Sequence, residues 1–134
     1  MTIEKAQIVD VKEFTKTSYY FRNDGLVVIR IRPNVHLELE DSIAEQRYMH
    51  EHKAEYLPMR VMIVPGDGAS VSKEVRDYSN HPDNTKMIRA EAIVVNSLAH
   101  KIMANFIKNF YKTPMPLKIF NNEEKAIDWL LNHD

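Results

Sequence analysis

Residues Ala90 to Trp129 read AEAIVVNSLAHKIMANFIKNFYKTPMPLKIFNNEEKAIDW, and this stretch decides the fold class. Ala90–Val95 is a near-continuous apolar run, the composition of a strand buried on both faces of a helix-covered parallel sheet. Ser97 can cap a helix in which Leu98, Ile102, Phe106 and Phe110 recur every four residues, a stripe expected to be core. Thr113-Pro114 ends that helix, because a residue before proline avoids the helical region. Leu117–Phe120 is a further strand. Asn121 and Glu124 have the spacing of a capping box for a last helix, with Ala126, Ile127, Trp129 and Leu130 facing inward. The stretch is therefore a βαβα unit.

Working outward, Thr17–Arg22 (TSYYFR) and Leu26–Arg32 (LVVIRIR) are rich in aromatic and β-branched residues. Asp24-Gly25 between them marks a hairpin, since glycine accepts positive φ without a steric penalty. Val28 and Arg30 fall on one face of the second strand, and Val27, Ile29 and Ile31 on the other. Leu39–Lys53 reads as the first helix, with Leu39, Ile43, Gln46 and Met49–His50 marking one face and acidic residues at its start, where the helix dipole favours them. Arg60–Val64 is a short apolar strand stopped by Pro65-Gly66-Asp67-Gly68. A second helix is expected to begin near Ser70, with that serine as its N-cap, and to run to about Tyr78. Asn80–Thr85 (NHPDNT) has loop composition. Residues 1–14 show no clean period and read as an N-terminal extension. The order is ββαβαβαβα: a mixed sheet of about five strands with about four helices, in one domain over 1–134.

The 134 residues carry 18 basic and 19 acidic side chains, a formal net charge of −1. That balance supplies no general attraction to nucleic acid or anionic membrane. Cysteine is absent, which excludes disulfides and thiolate metal sites. No apolar run approaches the roughly 20 residues of a membrane span. Charges interrupt every apolar pair of the N-terminus, so no signal sequence is read there. The expectation is a cytoplasmic domain.

The element order, with Ala90–Asn109, Pro116–Leu130 and the weaker Leu37–Glu45 segment (LELEDSIAE), resembles the STAS fold of sulfate transporters and anti-sigma-factor antagonists, also called SpoIIAA-like. It is most similar to short bacterial proteins of that superfamily. The better-known antagonists carry a switch serine at the start of the second helix, in an Asp-Ser-Ser-Gly-like motif. Here Pro65–Ser72 reads PGDGASVS, so Asp67 is followed by Gly-Ala and the motif is absent.

Gly66, Asp67, Gly68, Ser70 and Ser72 are nonetheless the candidate interaction or switch loop. A strand-to-helix turn can present backbone amides to an anion, and a phosphate on Ser70 would sit well at a helix start. The plainer reading is a tight turn that needs positive φ. The six histidines are scattered and form no HExxH pattern, so no metal site is expected. Glu91 interrupts the apolar run. It either faces solvent at the strand's start or pairs with a base such as Arg60 or Arg89. Tyr19, Tyr20 and Phe21 with nearby arginines read as sheet packing rather than a nucleic-acid platform.

No catalytic set emerges, and no cofactor is expected. The leading expectation is a non-enzymatic regulatory module that binds a protein partner or a second copy of itself. The alternative is a carrier of a small apolar ligand or lipid, in a pocket between helices and sheet, since related STAS-like folds are similar to lipid-transfer domains.

Overall fold

The computed structural model describes residues 6–110 and 115–132, with side chains over 6–105 and 115–132. The chain runs β1 (Ile8–Glu13), β2 (Thr17–Arg22), β3 (Leu26–Ile31), β4 (His36–Leu37) and α1 (Leu39–His52). It continues through β5 (Met59–Pro65), β6 (Ser70–Val71), α2 (Lys73–Ser79) and α3 (Pro82–Thr85). Last come β7 (Ile88–Val94), α4 (Leu98–Phe110), β8 (Leu117–Phe120) and α5 (Glu123–Asn132).

Six strands form one sheet in the order β1-β2-β3-β5-β7-β8, and β4 pairs with β6 in a small separate ladder. The first three strands are antiparallel neighbours. From β3 onward every pairing is parallel, as helical crossovers require. The hairpin forms at Asp24-Gly25: Gly25 sits at φ 88°, and the Asp24 carboxylate accepts the Leu26 amide at 3.2 Å. Arg22 closes over the turn onto Asp24 at 2.7 Å.

The sheet has one strand more than its sequence declares. Ile8, Val9 and Val11 of β1 are 55%, 60% and 43% exposed. An edge strand with no buried face leaves no alternation to read. The NHPDNT stretch contains a short helix, α3, because His81 accepts the Asp83 amide at 3.2 Å and Pro82 occupies the first turn, where its missing N–H costs nothing. Two caps also differ from expectation. Ser72, not Ser70, caps α2 by accepting the Val75 amide at 3.1 Å. Asn122, not Asn121, caps α5 through the Lys125 amide at 3.0 Å. Ser97 caps α4 as expected, taking the His100 amide at 3.1 Å.

The two faces of the sheet are packed differently. One face contributes Leu26, Val28, Met62, Val64, Ala90, Ala92 and Val94, closed by Ala126 and Leu130 of α5. The alanines of β7 let α5 approach closely. The opposite face carries Tyr19, Phe21, Val27, Ile29, Met59 and Val61, met by Met49 of α1. On α1 the inward residues are Glu45 and Met49, while Ile43 is 37% exposed and points outward. On α4 the expected core stripe is overturned at its first half: Leu98 is 73% exposed and Ile102 is 61% exposed. The inward residue is Ala104, so α4 presents a small side chain to the sheet and its large ones to solvent. The side chains of Phe106 and Phe110 lie outside the described residues.

This asymmetry predicts opposite outcomes for two leucines. Leu130→Ala, in the closed face, should cost about 2–5 kcal/mol in urea unfolding. Leu98→Ala should stay within about 0.5 kcal/mol of the parent. Equal losses would show that α4 is packed as core.

Candidate functional site

The Pro65–Ser72 turn is stitched to the segment after β3. The Gly66 amide donates to Ile31 O at 2.8 Å, Asn34 N to Asp67 O at 2.9 Å, and the Ser70 and Ser72 amides to Val35 O and Leu37 O, both at 3.0 Å. Ala69 N reaches back to Gly66 O at 3.1 Å. The amides of Gly66, Ala69, Ser70 and Ser72 are therefore already used and cannot cradle an anion. The two glycines have different reasons. Gly68 has φ 75°, the left-handed region. Gly66 has no positive φ, but a Cβ there would lie 2.7 Å from Ile31 O and from Pro33 N, so only glycine allows the two backbones to touch. Asp67 and Ser70 are exposed, and the Ser70 hydroxyl lies 2.7 Å from His36 Nδ1. Ser72 is committed to capping α2. The loop is thus a tight structural turn with one available hydroxyl, that of Ser70.

The larger feature lies under the helices. Parallel register aligns Val27, Val61, Glu91 and Leu117 in one row across the sheet, with Phe21 opposite Val27 on the antiparallel side. The next row is Tyr19, Ile29, Ile63, Ile93 and Ile119. Over these rows, between the sheet and α1, α2 and α4, is a cavity of about 260 Å³. Its walls are mainly apolar: Ile29, Val61, Ile63 and Ile93 from the sheet, Met49 from α1, Val75 from α2, and Met103 and Ala104 from α4.

Tyr19, Glu45, Arg76, Glu91 and His100 are the titratable groups that line it. Glu45 is buried and accepts the Tyr19 hydroxyl at 2.7 Å. Burial raises the Glu45 carboxyl and the Tyr19 hydrogen bond opposes that rise. Burial first, and then the neighbouring Glu45 charge, hold the Tyr19 phenol well above its ordinary value, so it remains a donor. His100 Nε2 lies 3.0 Å from Ala69 O. A carbonyl only accepts, which places the proton on Nε2. Nδ1 of His100 and Nε of Arg76 are buried without partners among the described residues, while Arg76 Nη1 donates to Val71 O at 3.1 Å.

Glu91 is the odd member. Its side chain forms no hydrogen bond or ion pair among the described residues, so the expected pairing with Arg60 or Arg89 is overturned. Nor does it face bulk solvent at a strand end: β7 starts at Ile88, and the register sets Glu91 in the middle of the sheet, on the cavity side. Some of its surface remains accessible, through the cavity it borders. The walls desolvate it enough to push the carboxyl up to about 7, and among the described residues burial is the cause.

Among the described residues no three His, Asp or Glu side chains group so as to hold a metal ion. His36, His50, His52 and His81 are exposed, and His133 lies outside the described residues. No helix among the described residues is long and apolar enough to cross a membrane. Sequence reasoning reached Glu91 but not its direction. The signal was there, because a period of two places it with Ile93, opposite Ala90, Ala92 and Val94. The Tyr19–Glu45 contact spans 26 residues and left no local trace.

A mixed sheet that opens with antiparallel strands and continues through parallel β-α units is the SpoIIAA-like fold. The chain belongs to the family described as a domain of unknown function, DUF7793, which it matches over residues 19–134. It is also similar to an uncharacterised protein of the DUF3478 family with a SpoIIAA-like fold from Shewanella loihica PV-4. The two share 16% sequence identity at a TM-score of 0.58, over 97% of this chain and 98% of the other. That likeness concerns the fold alone. No curated protein matches the chain.

The buried carboxyl predicts a pH signature. Glu91 titrates at an ordinary 4.5 when unfolded and at about 7 when folded. Between those values the folded state holds more proton, so this group's contribution falls as pH rises from 4.5 to about 7. Glu91→Gln should therefore stabilise the protein in urea unfolding at about pH 8 by at most about 3 kcal/mol, and the gain should vanish near about pH 4. A gain of equal size at both pH values would contradict the assignment.

Proposed function

We propose that this protein is a non-enzymatic binding module whose cavity holds a small, largely apolar molecule. The observation that carries the reading is the 260 Å³ space under α1, α2 and α4, walled by aliphatic side chains and holding a carboxyl with no side-chain partner among the described residues. Small-molecule sites have this character: apolar walls with a few placed polar groups, at about 300–1,000 Å³. The space lies just under that range. At about 30 Å³ for each water-sized group it admits roughly nine non-hydrogen atoms, so the occupant is small.

A second reading concerns a different surface. The outward face of α4 exposes Leu98 and Ile102 together, which favours a protein partner or a second copy of the chain docking there. The two readings are compatible: α4 forms the cavity's wall with Ala104 and the exposed ridge with Leu98 and Ile102, so an occupant below and a partner above would share one helix. A regulatory role in the cytoplasm of a bacterium fits that arrangement.

Two measurements test these readings. n-Octanol has the right number of atoms, and calorimetric titration should give one site with a dissociation constant on the order of 10⁻⁴ M. Ala104→Phe, which fills the cavity, should abolish that binding while leaving a cooperative thermal transition. Absence of binding to the parent protein would refute the ligand reading. For the second surface, sedimentation should show self-association that Ile102→Asp removes; a monomer at all concentrations would leave α4 to a different protein.

A further inference from the structure

We propose that the occupant of the cavity is a small amine, its apolar body against Ile63 and Ile93 and its ammonium group on the Glu91 carboxylate. The inference rests on the ligand reading above and adds the chemistry of the head group.

Complementarity to Glu91 selects the head group. An ionised carboxylate accepts hydrogen bonds and donates none. One held away from water is costly unless a cation or several donors meet it. Among the described residues the chain supplies neither to the Glu91 side chain, and burial alone perturbs it there. The basic groups that line the cavity each hold a backbone carbonyl, Arg76 donating to Val71 O and His100 to Ala69 O, and neither bonds Glu91. Lys118 follows Leu117 on β8 and lies over the Phe120 ring.

The other acid of the cavity, Glu45, is already matched by the Tyr19 hydroxyl. Among the described residues Glu91 is therefore the cavity carboxyl without a counterpart, and it sits in a row that is otherwise Val27, Val61 and Leu117. An ammonium group supplies charge and three donors in the volume of one heavy atom. An alcohol offers a single donor and leaves the charge uncompensated. A carboxylate head would set two like charges side by side.

The groups facing the cavity from each packed element also set the expected pH dependence. They are Tyr19 on β2, Glu45 on α1, Arg76 on α2 and His100 on α4. Tyr19 stays protonated throughout the neutral range. Binding of an alkylammonium ion should then tighten from about pH 5.5 to about pH 8.5 as Glu91 gives up its proton, whereas binding of the isosteric alcohol should not.

The test is calorimetric titration of the full chain with n-octylamine, n-octanol and octanoate at about pH 8. n-Octylamine should bind about tenfold tighter than n-octanol, and octanoate should be weakest. In Glu91→Gln the preference for the amine should fall to within about threefold. Octanol binding as tightly as the amine, or an amine preference that survives Glu91→Gln, overturns the inference and leaves the ligand reading standing. Failure of both octanol and octylamine to bind overturns the two together. Ala104→Phe separates cavity binding from adsorption, because a signal that survives it does not come from the cavity and counts against the inference.

Discussion

The period-two alternation of β7 is the constraint on which the architecture turns. A strand flanked on both sides by parallel neighbours must dispose of two faces at once. Ala90, Ala92 and Val94 go to the side closed by α5, where Ala126 and Leu130 fill the remaining space. Glu91 and Ile93 go to the other side by geometric necessity. A shift of register by one residue would drive the carboxyl under α5 and empty the closed core. The dense face thus fixes where the acid must point, and the acid's position is a consequence of packing on the far side of the sheet.

On its own face Glu91 meets helices that do not close down. α1 reaches the sheet with Met49 and Glu45, and α4 reaches it with Ala104. Small or polar inward residues leave space where α5 leaves none. That is why one protein has a filled side and a hollow side. The polar groups around the hollow are not equivalent. Tyr19 and Glu45 satisfy one another across the space between β2 and α1, and His100 is tied to the backbone at Ala69. Among the described residues the Glu91 carboxyl has no side-chain partner across the space, and Nδ1 of His100 and Nε of Arg76 are likewise unpartnered.

Much of the scaffold is legible in the sequence because its signals are local. Asp24-Gly25 marks the hairpin, the apolar run before Val94 marks the central strand, and Ser97 marks the start of α4. What is not legible depends on distance. β1 is invisible because an edge strand with both faces wet has no pattern. The stripe Leu98–Ile102 looks like core because periodicity reports that a helix has an apolar face, not that anything covers it. The Gly-Asp-Gly turn reads as a tight turn with a ligand loop as the alternative, and only the chain laid against it after Ile31 shows that the Gly66, Ser70 and Ser72 amides are already used. Glu91 looks like half of an ion pair because a buried acid usually is one, and only the three-dimensional register shows that Arg60, opposite Ala90, belongs to the other face.

The unequal faces have a consequence for how such a domain can diversify. Exchanges on the hollow side alter the shape and polarity of the space while the α5 side continues to hold the chain together. Change on that side carries little penalty in folding, because the two demands are assigned to opposite surfaces of the same strands. Families that share this framework can vary the cavity-facing positions independently of the closed core, so comparison of those positions, rather than of whole sequences, is where their differences would be written.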